Sequence, residues 1–299
     1  MLELAPTGCS NRYQRAFAGD SFNTAVYLAR AGIPTSYLTR LGDDRASLEV
    51  LRFMQAEGID SSLVEIAEGR NIGLYLIEND DHGERTFTYY RDSSPARELF
   101  DEPRVLDGSA LEADVFYFTG ITLAVTRSGQ DNLLRLLAAL RKAGDQIIFD
   151  PNYRPRLWDD VAQARDCCMA VLPYCDLILP TQEDDLALWA MASDDQSIDF
   201  YSRHGVGEVV VKGPELRVQA WSRTGSATRQ AEAIAAVDTT GAGDAFNAGY
   251  LASRLAGVGL EQSLAAAQQR AARVGRHHGA ILPLQEAETP PTGDTGEGC

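Results

Sequence analysis

The sequence has few positive charges and no long apolar run. It contains 27 Lys and Arg against 43 Asp and Glu, which gives a formal charge of −16. Proteins that bind nucleic acids or anionic membranes use clustered Lys and Arg, so this composition argues against both partners. No segment approaches the roughly 20 apolar residues of a membrane helix, and Met1-Leu2-Glu3 does not begin a signal peptide. The sequence therefore predicts a cytoplasmic protein.

Cysteine is also scarce, and its spacing matches no metal-binding motif. The cysteines are Cys9, Cys167, Cys168, Cys175 and Cys299. An odd number without paired spacing favours a reducing compartment over a disulfide framework. With 44% hydrophobic residues over 299 positions, the chain can bury one large α/β core, with or without a small appendage.

The most informative stretch is Asp-Thr-Thr-Gly-Ala-Gly-Asp-Ala-Phe-Asn-Ala-Gly at positions 238–249. Gly241 and Gly243 predict a tight turn, and the Ala-rich run after them has the spacing of a helix. The first N–H groups of a helix lack intrahelical partners and lie at its positive end, so they bind anions. At the mouth of such a site, Asp244 can accept a hydroxyl proton during phosphoryl transfer. The alternative is an acidic residue that only favours the helix N-terminus.

This stretch resembles the C-terminal motif of the ribokinase-like (PfkB) carbohydrate kinases. The resemblance implies that Asp244 is the catalytic base and that the amides of Gly241, Ala242 and Gly243 form an anion hole. It also implies a small-molecule sugar and ATP as ligands, together with Mg²⁺. The similarity extends over several separated motifs and covers nearly the whole chain.

Near the N-terminus, Gly19-Asp20-Ser21-Phe22-Asn23 precedes a helical pattern. On its own this segment is a good helix N-cap, supplied by Ser21 or Asn23. It also resembles the first substrate motif of the family, which implies that Gly19, Asp20 and Asn23 bind sugar hydroxyls.

A cluster of short β-like runs from Ser61 to Arg91 interrupts the alternation of strands and helices. The runs, at 63–66, 72–77 and 86–90, predict a small antiparallel sheet. In the related kinases such a sheet is a lid over the sugar and often the surface of a homo-oligomer. Residues 83–91 also resemble the 2-keto-3-deoxygluconate kinases, which implies that Tyr75, Tyr89 and Arg91 contact the substrate. Aromatic residues on a half-exposed sheet otherwise serve packing.

A polar cluster follows the apolar strand predicted at 147–149. Its residues 150–154 (Asp-Pro-Asn-Tyr-Arg) stand at the carboxyl end of that strand, where open α/β sheets bind ligands. An ordinary turn built on Asp, Pro and Asn is the alternative. Asp-x-Asn-Tyr-Arg-x-x-Leu-Trp resembles the keto-deoxy-sugar-acid kinases. We expect Arg154, with Arg91 facing the same cleft, to bind the sugar carboxylate through its planar fork. Arg156 is the alternative, although a structural role is favoured for it.

The nucleotide and metal sites are implied by the resemblance. The nucleotide would contact Lys212, Gly213, Gly241, Gly243, Gln268 and Ala280. Gln268 is equally compatible with a solvated helix position. Thr181-Gln182-Glu183-Asp184 is a capping box with Asp in place of Glu, where the family has Asn-x-x-Glu that holds Mg²⁺ through water. Asp184, with Glu183 as its neighbour, is therefore either a magnesium residue or a helix cap.

Strands and helices alternate along most of the chain, which predicts an α/β, ribokinase-like fold. Its mainly parallel central sheet carries helices on both faces. We expect one domain over 1–285, a lid mainly at 61–91 with part of 4–18, and a disordered tail at 286–299. Relatives begin with a strand ahead of a segment like Met1-Leu2-Glu3-Leu4, and a strand needs about five residues. A late gene start, a trimmed chain or a sheet without that strand would account for the missing strand. We expect an exposed edge or gap beside 115–118.

The sequence as a whole predicts an ATP-dependent kinase that phosphorylates the 6-hydroxyl of 2-keto-3-deoxygluconate, with Asp244 as the base. A kinase for a neutral ketose such as fructose is the first alternative. A non-catalytic sugar-binding protein is the second.

Overall fold

The computed structural model describes residues 1–7, 12–79, 85–102, 113–232 and 235–284. The strands are β1 (Leu2–Pro6), β2 (Tyr13–Phe17), β3 (Thr39–Gly42), β4 (Val64–Ala67), β5 (Leu74–Asn79), β6 (Arg85–Tyr90), β7 (Val115–Thr119), β8 (Gln146–Asp150), β9 (Leu177–Ile178), β10 (Glu208–Lys212), β11 (Arg217–Ser222) and β12 (Gly225–Gln230). The helices are α1 (Asp20–Arg30), α2 (Arg45–Ala56), α3 (Gly120–Val125), α4 (Gln130–Ala143), α5 (Val161–Val171), α6 (Gln182–Trp189), α7 (Asp194–Arg203), α8 (Ala242–Leu255) and α9 (Leu260–Val274). Among these described helices, none is long and apolar enough to cross a membrane. The predicted tail at 286–299, residues 83–84, Cys9 and Cys299 lie outside the described residues.

A six-stranded sheet forms the centre of the fold, in the order β12-β11-β10-β9-β8-β7. Strands β7 to β10 pair in parallel, and β11 and β12 extend the sheet in antiparallel fashion. Alternate residues of β8 enter different cores, because side chains of a strand point to opposite faces. Ile147 and Phe149 join the cluster with α4 and α5, whereas Ile148 joins the one with α8 and α9. The predicted mainly parallel sheet with helices on both faces is confirmed.

A second sheet of four strands, in the order β2-β1-β5-β6, contains the segments predicted to form the lid. Its β1–β2 and β5–β6 pairs are antiparallel, and β1 lies parallel to β5. The prediction that 63–66 belongs to this sheet is wrong, because β4 pairs in parallel with β3 as a separate two-stranded sheet. The physical reason is the connection through α2, since a helical crossover joins parallel strands.

Strand β7 lies at an edge of the central sheet. Within the described residues it pairs with β8 alone, so its other side is an unpaired edge. A cavity of about 160 Å³ lies between the β3 segment and α3, with Leu41 on one wall and Ile121 and Val125 on the other. The edge expected beside 115–118 is therefore confirmed.

The segment that follows α9 is fixed against α1. The Tyr27 hydroxyl donates to the Ala280 carbonyl at 2.7 Å and accepts from the Leu282 N–H at 3.1 Å. Arg30 donates to the Leu282 carbonyl at 2.7 Å, and its guanidinium forms a buried two-point ion pair with Glu57. Residues 280–282 therefore have a defined position beside the start of α8.

Candidate active site

A cleft of about 790 Å³ opens between the lid and the carboxyl ends of the central strands. This volume falls within the roughly 300–1,000 Å³ of small-molecule sites. The predicted residues that line it are Gly19, Asp20, Asn23, Tyr75, Tyr89, Arg91, Arg154, Asp184, Lys212, Gly241, Gly243 and Asp244. The fold thus brings together residues from both ends of the chain.

The other predicted residues do not line this cleft: Glu183, Gly213, Ala242, Gln268 and Ala280. Glu183 is exposed on α6, whereas its neighbour Asp184 is buried. Gln268 uses its amide within the protein, since Nε2 donates to the Leu216 carbonyl at 2.8 Å. Ala280 is 2% exposed and lies beneath Gly241. Of the two candidate magnesium residues, the structure therefore places Asp184 at the cleft.

The start of α8 carries free backbone donors. Gly241 is the N-cap, with φ of 73°, and a Cβ there would lie 2.7–2.9 Å from Ala280 atoms. Only glycine meets both demands. In the described part of the chain, the N–H groups of Gly243 and Asp244 make no hydrogen bond, whereas the Ala242 N–H donates to the Thr239 carbonyl at 3.1 Å. The available anion donors are therefore those of Gly243 and Asp244 rather than that of Ala242.

Asp238 braces this turn, a role that the sequence did not predict. Its Oδ1 accepts from the Thr240 N–H at 2.9 Å and from the Thr240 hydroxyl at 2.7 Å. Its Oδ2 accepts from the Gly279 N–H at 2.8 Å. The first residue of the motif thus ties the glycine turn to the segment that follows α9.

Asp244 sits beside these donors with its side chain partly exposed to the cleft. Burial raises the pKa of its carboxyl well above the usual range, and the charges of Asp20 and Asp150 raise it further. The Asn23 amide opposes this rise by donating to Asp244 Oδ2 at 2.8 Å. The helix dipole alone would favour the ionised form, but burial and the neighbouring carboxylates outweigh it.

Asn23 is committed to the protein at both ends of its amide. Its Nδ2 donates to Asp244, and its Oδ1 accepts from the Gly19 N–H at 3.3 Å. It is 4% exposed. In this structure Asn23 positions the Asp244 carboxyl and joins α1 to α8, a role beyond the predicted contact with sugar hydroxyls.

Asp20 is a second acid that lines the cleft. Burial raises the pKa of its carboxyl, and the charge of Asp150 adds to this effect. The Thr119 hydroxyl donates to Asp20 and opposes the rise. A carboxylate accepts several hydrogen bonds, so Asp20 can also accept one from a ligand hydroxyl at the cleft.

The lid closes the cleft with aromatic rings and one arginine. The rings of Tyr75 and Tyr89 lie 5.7 Å apart, and the Tyr75 hydroxyl donates to the buried Glu3 carboxylate. Arg91 lies 4.3 Å above the Tyr89 ring, and burial lowers the pKa of its guanidinium. No ion pair of Arg91 is found in the described ranges, so its charge is available to a ligand anion.

Arg154 and Asp184 form an ion pair on the side of the cleft opposite the lid. Arg154 Nη1 lies 3.3 Å from Asp184 Oδ1, and the Arg154 side chain is 53% exposed. The Asp184 N–H donates to the Thr181 hydroxyl at 3.0 Å, so the predicted N-cap is present. Burial raises the pKa of Asp184, and Arg154 opposes this. The described residues contain no cluster of three metal-ligating side chains.

The cleft floor contains a polar network that joins Asp150, Lys212 and Asn247. Lys212 Nζ lies 3.5 Å from Asp150 Oδ2 and 3.0 Å from Asn247 Oδ1. Asn247 was not predicted as a site residue. The signal that could have found it is its spacing, because residues three apart on a helix share a face and Asp244 precedes it by three.

Comparisons with known proteins find similar carbohydrate kinases. The model of the pfkB family carbohydrate kinases matches residues 7–287. The 2-dehydro-3-deoxygluconokinase of Haemophilus influenzae is 35% identical over 94% of this chain and 93% of its own. The fructokinase of Klebsiella pneumoniae is 32% identical over 89% of this chain and 85% of its own. The Salmonella enterica aminoimidazole riboside kinase, solved with its riboside and an ATP analogue, has a TM-score of 0.80 at 21% identity, covering 93% of this chain and 92% of that one.

Proposed function

The chain belongs to the pfkB family of carbohydrate kinases, and we propose that it transfers the terminal phosphoryl group of ATP to the 6-hydroxyl of 2-keto-3-deoxygluconate. The observation that carries this proposal is the pair of arginines, Arg91 and Arg154, that line the same cleft as Asp244. A protein of formal charge −16 needs local cations to desolvate a carboxylate ligand. The relative named 2-dehydro-3-deoxygluconokinase supports the same substrate.

Asp244 is the proton acceptor in this proposal. Its carboxyl lies at the start of α8, and burial raises its pKa, which makes the ionised carboxylate a stronger base. A loose transition state for phosphoryl transfer demands little base strength, so late proton removal is sufficient. The free N–H groups of Gly243 and Asp244 would stabilise the charge on the transferring group.

Mg²⁺ is the expected companion of ATP. Bound to the phosphates, the ion would neutralise part of their charge. Asp184 is the residue that would hold it, because its carboxylate is at the cleft and its ion-pair partner, Arg154, is 53% exposed.

The choice of substrate depends on the arginines. Arg154→Ala is expected to raise KM for 2-keto-3-deoxygluconate about 10–100-fold, because hydrogen bonds to a charged group contribute about 1.5–3 kcal/mol. The KM for ATP should change far less. Steady-state kinetics with each substrate varied in turn measures both values.

Fructose is the control substrate for this prediction. It lacks the carboxylate, so Arg154→Ala should leave its KM unchanged. Arg165→Ala is a matched control, because Arg165 donates to the Leu188 carbonyl away from the cleft. Equal use of fructose and the keto-acid, with Arg154→Ala affecting both alike, would support the fructokinase assignment that the Klebsiella pneumoniae relative carries.

The proposed function itself is tested by ADP release across a panel of keto-acids and hexoses. We expect turnover with 2-keto-3-deoxygluconate that stops when the carboxylate is removed from the substrate. Sugar binding without ADP release, for every member of the panel, would overturn the kinase assignment in favour of a non-catalytic binding protein. We also place the reaction in the cytoplasm, which the free cysteines Cys167, Cys168 and Cys175 support and which cell fractionation would check.

The lid is the surface that we propose for a homodimer. We define its outer face by the register partners Leu2, Leu4, Leu74, Leu76, Thr88 and Tyr90, which lie opposite the cleft-facing Tyr75 and Tyr89. Tyr90 is 61% exposed, and these six residues include no acidic side chain; the exposed Glu78 follows two positions after Leu76 on β5. Two copies of a −16 chain can therefore meet over Leu74, Leu76 and Tyr90 with few like charges in contact.

Leu76→Asp is expected to convert the dimer to a monomer, because it places two desolvated carboxylates at the contact. Light scattering on a sizing column measures the mass. Leu186→Asp is the matched control, since Leu186 is 53% exposed on α6 and should leave the mass unchanged. A monomeric wild-type protein, or a Leu76→Asp variant that stays dimeric, would remove the lid from this role.

A further inference from the structure

The side-chain amide of Asn247 lies between a cation and an anion on the cleft floor. Asn247 is fully buried on α8. Its Oδ1 accepts from Lys212 Nζ at 3.0 Å, and its Nδ2 donates to Asp150 Oδ2 at 2.6 Å and to the Tyr117 hydroxyl at 3.1 Å. An ammonium can only donate and a carboxylate can only accept, so the orientation of the amide is determined.

The Asn247 amide occupies the place where Lys212 and Asp150 would otherwise contact each other directly. Lys212 Nζ and Asp150 Oδ2 are 3.5 Å apart, longer than the roughly 2.7–2.9 Å of a charge-assisted hydrogen bond. The Lys212 and Asp150 side chains are 12% and 5% exposed, so water does little to separate them. The neutral Asn247 side chain is thus what keeps the ion pair open.

The residue type at 212 supports a role as a point charge. The 27 basic residues of the chain include only two lysines, Lys142 and Lys212. A lysine ammonium is compact and has three rotatable donors, whereas an arginine presents a flat fork. Lys212 donates one hydrogen bond to Asn247 and lines the cleft, so at least one of its N–H groups can turn towards a ligand oxygen.

We propose that Asn247 is a positioning residue that prevents Lys212 from closing onto Asp150 and keeps its ammonium available to the transferring phosphoryl group. The inference rests on the proposed kinase function and adds a residue to it. The amide separates the two groups without adding a charge of its own, and Lys212 lines the same cleft as Gly243 and Asp244. In its absence the two buried charges would pair, and the cation would be lost to the reaction.

The first test removes the amide with Asn247→Leu, a change of similar volume. We expect kcat to fall about 10–100-fold, which is no more than the loss caused by deleting one donor that stabilises the transition state. The KM for the sugar should not change. In the Lys212→Met background the same change should cost no further activity, because two groups that act as one unit are not additive. Fully multiplicative losses would overturn the proposal.

The second test does not depend on activity. In a crystal structure of Asn247→Leu, we expect the Lys212–Asp150 separation to shorten from 3.5 Å to about 2.8 Å. An unchanged separation would overturn the proposal. Tyr117→Phe is the control, since it removes one partner of Nδ2 and leaves Asp150 and Lys212 in contact with the amide.

The third test, Asn247→Asp, preserves the shape and reports through pH. Burial and the Asp150 charge would raise the pKa of the introduced carboxyl, with Lys212 opposing them. Below that pKa its O–H donates to Asp150 as the wild-type amide does, whereas above it two carboxylates repel. The activity of the variant relative to wild type should therefore rise as pH falls, and a flat ratio would contradict the proposal.

A wild-type protein without ADP release for any sugar would instead refute the proposed function, and the crystal structure would still decide the role of Asn247.

Discussion

Asp244→Ala is expected to fold as the wild type does and to lose about 10²–10⁴ of its turnover, the range that removal of a general base produces. Asp244 lies at the start of α8 beside free N–H donors and accepts a hydrogen bond from Asn23. No other group there combines a carboxyl with that position. The rate of ADP release at saturating substrates, with circular dichroism to check the fold, measures the effect.

Asp199→Ala is the matched control for this change. It removes a carboxylate of the same type from an exposed ion pair with Arg203 and should keep the wild-type rate. In the wild type, the raised pKa of Asp244 places the acid limb of kcat/KM above the ordinary Asp range, because the ionised form accepts the proton. A loss of less than tenfold in Asp244→Ala would assign the base to another residue.

Gly241→Ala is expected to lower kcat by about 10²–10³, as the loss of an oxyanion donor does. The new Cβ would lie 2.7 Å from the Ala280 Cβ, and Ala280 cannot retreat because the Tyr27 hydroxyl holds its carbonyl at 2.7 Å. The turn must shift, and the N–H groups of Gly243 and Asp244 must move with it. Assays of ADP release at saturating ATP measure the fall in kcat.

Gly257→Ala separates this steric effect from backbone strain. Gly257 has φ of 76°, close to the 73° of Gly241, yet its Cβ would meet no atom within 4 Å. Both variants should lose stability, by about 1 kcal/mol or more, because alanine at positive φ is strained. Only Gly241→Ala should lose turnover. Equal kinetic losses in both would show that general loosening, rather than the anion site, causes the effect.

The sequence was sufficient to predict the parts of the candidate site that depend only on residues close together in the chain. The glycine turn at 241–243 and the polar residues after β8 needed no tertiary information, because helix starts and strand ends are local features. Parallel strands then bring their carboxyl ends to one edge, so most of the predicted residues converge on one cleft. The family assignment made from these motifs is confirmed by the match over residues 7–287.

The features that escaped prediction depend on partners distant in the chain. Asn23 meets Asp244 across 221 positions, and Gln268 meets Leu216 across 52. A side chain with two amide atoms can serve a ligand or the protein, and local sequence does not decide between them. The strand 64–67 was misplaced for the same reason, since its partner β3 lies beyond a helix.

The contacts between α1 and the segment after α9 set when the enzyme can first work. Tyr27 and Ala280 are 253 positions apart, and Arg30 and Leu282 are 252 apart. A ribosome that adds about 5–20 residues per second completes the first helix many seconds before it makes the residues that support Gly241. During that interval α1 can pack against α2 through Val26 and Met54, but its contacts with residues 280–282 cannot form, and closing so long a loop opposes them entropically. The turn at Gly241 therefore gains its support only after residues 280–282 have been made, so a nascent chain that ends before them cannot yet turn over.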